Sequence, residues 1–297
     1  MNLIEIFKRY RKSYANYLSV LYNMKRNKSN IKVKLRDGQM HDWNVEKTYW
    51  YALIKANPNL DVNLDLLPSS RDKPLNFEFK GRPLTLVTGI YGNGKREGDF
   101  SAVYVSEDYK FLNVEDKNVI DIGANIGDSS LYFALRNAKK VVALEPYPYS
   151  YSIAIKNLQL NSIGKERVTL LNAGYGEDGT IKINSDFEST VGSDLKSSKE
   201  GVEIRIISLK TLLEENNFDT AVLKMDCEGC EYNIVNEQDE ALRKFKQIQI
   251  EYHYGYEKLK SKLEEVGFTV RYTKPTKSYN KNATNPNMSV GFIYAER

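Results

Sequence analysis

VIDIGANIGDSS, residues 119–130, decides how this chain reads. Val119-Ile120-Asp121-Ile122 has the length and apolar character of a buried strand. Gly123-Ala-Asn125-Ile-Gly127 then turns the chain sharply, and Asp128-Ser129-Ser130 opens a helix that continues through LYFALRNA. Glycines at such a strand-to-helix turn let backbone N–H groups approach a ligand closely.

The turn is not of the dinucleotide type, because Asn125 stands where the middle glycine of G-x-G-x-x-G belongs. Asp121 at the strand end would repel a pyrophosphate. It suits a ligand with a cationic end, such as the amino and sulfonium groups of S-adenosylmethionine (SAM). The next strand, VVALEP (141–146), ends in Glu145, whose carboxylate is placed to accept both ribose hydroxyl protons. Either feature alone would be a tight turn or a surface acid; together, in a strand-turn-helix-strand setting, they predict a nucleoside cofactor site.

Outward from this motif, strands and helices alternate. DSSLYFALRNA, PYSYSIAIKNLQLN and YEKLKSKLEEVG read as helices, and a further helix is expected after Glu231. VTLLNAG, AVLKMD and QIQIEY read as strands, with TIKIN and VEIRIISL as added strands. The pattern predicts an α/β fold with a doubly wound, mostly parallel, Rossmann-like sheet. TVRYTK and SVGFIYAE have only a loop between them, which predicts an antiparallel pair at the sheet edge. The expected organisation is an N-terminal α+β extension over 1–100 and a catalytic domain over 101–297.

In the extension, residues 3–22 carry apolar and aromatic side chains at helical spacing with Lys and Arg between them, which predicts one basic amphipathic helix. Its apolar face is expected to pack on the body or on a second subunit; a surface for RNA or anionic membrane is the sharper alternative. IKVKLRDGQMHDW is strand-like around Asp37-Gly38, residues 46–56 are helical up to Asn57-Pro58, NLDVNLDLLPSS is a polar loop, and NFEFKGRPLTLV is a hairpin. LTLVTGIYGNGKR (84–96) comes close to a phosphate loop. Arg96 occupies the position of the Mg²⁺-binding hydroxyl, however, and no helix follows, so a glycine-rich loop is expected.

The 297 residues carry a net charge of +4, and residues 1–40 alone hold ten Lys/Arg against two acids. The basicity therefore belongs to the N-terminal arm. No apolar run is long enough to span a bilayer and no signal-peptide core is present, so a cytoplasmic enzyme is the expectation. Cys227 and Cys230 form one CxxC, too few ligands for a structural zinc site. They are expected to be small residues lining a strand end rather than a redox pair.

The chain resembles the FkbM-type methyltransferases over about residues 98–296. The resemblance rests on VIDIGANIGDSSLYFA, VVALEPYPYSYSIAIKNLQLN, NAGYG (172–176), LKMDCEGCEYNIV (223–235) and IEYH (250–253). It implies a class I SAM-dependent transferase, mostly of O-methylation on hydroxyls of sugars or small metabolites. On this chain the implied cofactor contacts are Asp121, Gly123, Asn125, Gly127 and Glu145, with Asn172 and Ala173 near the adenine. Asp226, Glu228 and His253 are the implied catalytic set at the strand ends, with Glu231 following within a turn. An unshifted histidine suits the task of taking a hydroxyl proton near neutral pH. Asp226, Glu251 and His253 are also weighed as oxygen and imidazole ligands, but no metal is assigned.

Two other functions stay open at this level. An RNA methyltransferase would use the basic arm, although the acids after the fourth strand oppose a phosphate backbone and no N-P-P-Y-type motif follows it. A non-catalytic SAM-binding module, with the N-terminal helix mediating homo-oligomer assembly, is the other. The acceptor loops, at 184–201 and 275–288, carry no readable code.

Overall fold

Tyr14 breaks the expected N-terminal helix in two. Leu3–Ser13 (α1) and Tyr17–Lys25 (α2) are separate helices. Between them the backbone turns to the strand Ile31–Lys34 (β1), which pairs antiparallel with Met40–Trp43 (β2). Ala15 N–H donates to Lys34 O at 2.7 Å. The Asn16 side chain accepts from Lys34 N–H and donates to Lys32 O. The buried Tyr14 hydroxyl donates to Thr48 O at 2.6 Å, in the helix Val45–Ala56 (α3). Strand β1 thus takes backbone groups that a continuous helix would have kept for itself, and periodicity cannot show this competition. Asn44 caps α3 by accepting from Lys47 N–H.

The structure is a computed structural model and describes residues 3–62, 74–87, 100–184, 200–277 and 288–297. The glycine-rich loop expected within 84–96, from residue 88 on, and most of the two acceptor loops lie outside the described residues, as does much of the polar loop after Asn59. Two units are distinguished, Met1–Leu86 with Tyr104–Ser106, and Val87–Val103 with Glu107–Arg297. In the first, Tyr10, Tyr14, Val20, Ile31, Val33, Leu35 and Ala52 form a core beneath the helices and the hairpin. Leu60–Asp61 (β3), Leu75–Phe79 (β4) and Arg82–Leu86 (β5) form a small antiparallel sheet, as the hairpin signal at Lys80-Gly81 predicts.

The second unit carries Asn118–Ile122 (β6), Lys140–Leu144 (β7), Val168–Leu171 (β8), Ala173–Tyr175 (β9), Gly179–Ile183 (β10), Val202–Ile207 (β11), Ala221–Met225 (β12), Phe245–Tyr252 (β13), Thr269–Tyr272 (β14), Thr276–Lys277 (β15) and Ser289–Glu296 (β16). The main sheet runs β8-β7-β6-β12-β13-β16-β14. Its strands pair in parallel up to β13, and β16 lies antiparallel between β13 and β14. β15 adds a short antiparallel pairing to β16. This is a doubly wound, mostly parallel α/β sheet, with the expected antiparallel pairing at its edge. Ile120, Ile122, Leu223, Met225, Ile248 and Ile250 meet in its buried core.

Two expectations need correction here. VTLLNAG is not one strand: it divides at Asn172 into β8 in the main sheet and β9, which joins β10 and β11 in a second, three-stranded sheet. The helix expected after Glu231 comes later than the motif suggests: a 3₁₀ segment, Cys230–Asn236, intervenes before the short α-helix Asp239–Arg243. The chain order turns back between β6 and β12, so a crevice opens at the carboxyl ends of these adjacent strands.

Candidate cofactor and active site

That crevice is a cavity of about 240 Å³, with Gly123, Asn125, Glu145, Ala173, Asp226 and Glu228 among its lining residues. Gly123 has φ of +75°, and a Cβ there would fall 1.9 Å from Asp226 O. The turn therefore has to be glycine for β6 and β12 to end side by side. Asn125 also sits in the left-handed region, with φ of +47°. In that conformation its N–H donates to Glu145 Oε2 at 2.8 Å, while Tyr147 N–H donates to Oε1 at 3.0 Å. Burial outweighs these two bonds and raises the Glu145 carboxyl to about 7.

Three residues read from the sequence as cofactor contacts do other work. Asp121 is fully buried and is not among the residues lining the cavity. One carboxylate oxygen ion-pairs with Lys224 Nζ at 3.0 Å, and the other accepts from Ser129 and Ser130 at 2.7 and 2.6 Å. It ties the strand end to the first turn of the following helix instead of facing a ligand's cationic end. Gly127 has no side chain because Ala154, on the helix Pro148–Leu160, would stand 3.0 Å from its Cβ. Asn172 donates from Nδ2 to the carbonyls of Glu145 and Pro146, both at 2.9 Å, and so fixes the end of β7.

Lys224 carries no role that its motif alone reveals. Its buried ammonium donates to Gly123 O and Ile122 O as well as pairing with Asp121. Burial alone would lower its pKa; the Asp121 and Asp226 charges outweigh that and raise it. It is a fixed positive charge under the turn. Tyr109 gave no sequence signal, yet it lines the cavity and donates its phenol to Asp226 Oδ2 at 2.8 Å.

The catalytic candidates do come together. His253 Nε2 lies 3.3 Å from Glu228 Oε2 and 3.9 Å from Asp226 Oδ1, while Nδ1 lies 2.9 Å from Glu231 Oε1. Glu231 is fully buried, and it also accepts from the backbone N–H of His253 and of Gly229. Burial pulls the His253 pKa down, but the Glu231 bond and charge, with Glu228 and Asp226, push it up to about 10. Such a shift favours an imidazolium beside the carboxylates over the unshifted histidine that suits a base. Glu251 beside it is raised well above the carboxylate range by burial first and then by the Asp226 charge. Asp226, Glu228 and His253 bring ligand-type atoms within 4.8 Å of one another, so a divalent cation could be held here, with Glu228 in place of the Glu251 weighed from the sequence.

Cys227 and Cys230 are also corrected. They are joined in a disulfide, and both line the cavity. The bond closes the loop that presents Glu228, which has φ of +57°.

The site accommodates SAM by its donor set. A glycine turn lets backbone approach, a buried carboxylate ends the neighbouring strand, and an acidic rim matches a sulfonium charge. Residues 121–270 match the sequence profile of a family described as Methyltransferase FkbM domain. Among curated proteins, the chain is similar to Uncharacterized protein 158B of Sulfolobus islandicus rod-shaped virus 1, 30% identical over 49% of this chain and 66% of that one. It is also similar to the tRNA(Phe) (4-demethylwyosine(37)-C(7)) aminocarboxypropyltransferase of Pyrococcus horikoshii, 28% identical over 54% of this chain and 53% of the relative. The chain thus spans between half and two thirds of these relatives' lengths. Among solved structures, Methyltransferase FkbM from Methylobacillus flagellatus KT aligns with a TM-score of 0.43 at 17% identity, covering 66% of this chain and 47% of that one.

Proposed function

The chain belongs to the FkbM methyltransferase family, and from that premise we propose that this SAM-dependent methyltransferase acts on a hydroxyl group of a sugar or small metabolite. The observation that supports this reading is the carboxylate pair Asp226 and Glu228 at the cavity wall, gathered around the His253 imidazolium. Bound SAM supplies an electrophilic methyl group on a sulfonium. The protein's part is alignment and proton removal. Glu145 binds the ribose hydroxyls, and the Gly123–Asn125 turn receives the cofactor closely. Asp226 and Glu228 orient the acceptor hydroxyl and take its proton, a contribution of roughly 10²–10⁴-fold for a well-placed base. His253 steadies both carboxylates by charge.

The test is a by-product assay, release of S-adenosylhomocysteine, run over a panel of sugar and small-molecule hydroxyl acceptors. Products are checked by mass spectrometry for an O-methyl group. Asp226→Asn should remove turnover while SAM still shifts the melting temperature. Methylation confined to nitrogen or carbon acceptors would overturn the reading.

A further inference from the structure

The first unit holds a cleft of about 700 Å³ that the methyl-transfer reading does not use. Its wall carries three neighbouring aromatic rings. His41 stacks on Trp43 at 4.9 Å between centroids with 24° between planes, and Trp43 meets Tyr51 at 5.1 Å with the planes tilted by 58°. All three side chains are half-buried and line the cleft. Two lysines lie over the rings, Lys47 Nζ at 5.2 Å from the Trp43 centroid and Lys55 Nζ at 5.8 Å from the Tyr51 centroid, and Lys12 adds a third cation to the lining. Asp61 is the one acid among the described lining residues. The wider charge agrees, since residues 1–86 hold sixteen Lys/Arg against eight acids while the rest of the chain is net negative.

We propose that this cleft binds single-stranded nucleic acid, with bases stacked against the aromatic cluster of His41, Trp43 and Tyr51 and phosphates paired to Lys12, Lys47 and Lys55. Aromatic rings beside mobile lysine cations offer unpaired bases a stacking partner and their backbone a counter-charge, whereas a duplex hides its base faces. An acidic glycan would need rows of amides and carboxylates for its hydroxyls. The lining amide, Asn57, is already committed, donating to Tyr104 O and Val105 O and accepting from Asn59 N–H. This binding does not depend on which hydroxyl the methyl group reaches.

The experiment is fluorescence anisotropy on the full chain with a short fluorescein-labelled oligouridylate, across a salt series. Trp43→Ala should weaken binding roughly tenfold, the scale of one lost base stack, while Trp43→Phe keeps a ring and most of the affinity. A Lys12→Gln, Lys47→Gln, Lys55→Gln triple variant should flatten the slope of log affinity against log salt by about two, at roughly 0.7 per phosphate contact. Circular dichroism establishes that each variant is folded. Equal affinity for an abasic oligomer of the same charge, binding of heparin alone, or an affinity that Trp43→Ala leaves unchanged would each overturn the proposal. SAM binding, measured separately by thermal shift, is expected to be unchanged in these variants.

Discussion

The Tyr109 phenol donates to Asp226 Oδ2 at 2.8 Å, across 117 residues of sequence. Gln249 Nε2 donates to Asp108 O and Arg136 Nη1 donates to Tyr109 O, so the backbone that carries the ring is held. The bond engages one oxygen of the carboxylate and leaves the other, Oδ1, on the His253 side. Tyr109→Phe removes a hydrogen bond to a charged group, a loss on the order of 1.5–3 kcal/mol. We expect kcat to fall at least tenfold with little change in SAM affinity, as measured by steady-state kinetics and calorimetry. A matching loss of SAM affinity would show that the phenol serves the cofactor instead.

With Glu145 proposed as the ribose ligand, we expect SAM binding to be sensitive to pH. Its carboxyl is raised to about 7, mainly by burial. Below that value the folded state holds a proton that ribose hydroxyls need displaced. SAM affinity should therefore rise from pH 6 to pH 8, and Glu145→Gln should bind weakly at both. The same group gives a stability effect of defined sign. Between its unfolded value near 4.5 and about 7 the folded state binds the extra proton, so Glu145 contributes less stability as pH rises through that window. Isothermal titrations at the two pH values decide it; a wild-type affinity flat across this range would remove Glu145 from the ribose.

His253 acts in a higher window. Its pKa is raised to about 10, with burial working against Glu231, Glu228 and Asp226. The stabilisation from its charged form is fully present below the unfolded value near 6.5 and is lost as pH rises through about 10. Urea melts between pH 7 and pH 10 should show declining stability in the wild type and a flatter profile in His253→Gln. Parallel profiles would mean that the imidazolium does not hold these carboxylates together.

The Cys227–Cys230 bond spans so short a loop that chain entropy gives it about 2 kcal/mol at most. Its larger effect should be local. Reduction with a phosphine, or Cys227→Ser with Cys230→Ser, is expected to lower the melting temperature only modestly. Turnover should fall more than stability does, because Glu228 loses its fixed loop. Thiol counting before and after reduction links the state of the bond to the activity measured.

The strand-turn-helix at 119–135 was legible in the sequence because its information is local. A buried strand, a glycine turn and a helix start each leave a short-range pattern. The pairing of Glu145 with that turn was legible too, since successive parallel strands place their ends together. Relations that exist only in three dimensions were not. Lys224 and Asp121 looked like motif letters with separate purposes until the sheet placed them 3.0 Å apart. Tyr109 had no pattern around it. His253 is found by position, but its pKa is not legible, because it depends on Asp226 and Glu228 in the loop after β12 and on Glu231 in the 3₁₀ segment. The helix break at Tyr14 was hidden for a similar reason: strand β1 competes for the same backbone groups.

The placement of β16 between β13 and β14 bears on how the chain is made. As it leaves the ribosome, β14 emerges before the strand it must pair with, and β13 waits with one edge bare. Neither closes until residues 289–296 arrive. During synthesis the nascent domain therefore carries an open sheet edge beside its nearly complete cofactor crevice, and a chaperone guarding that edge would protect the chain at its most aggregation-prone moment.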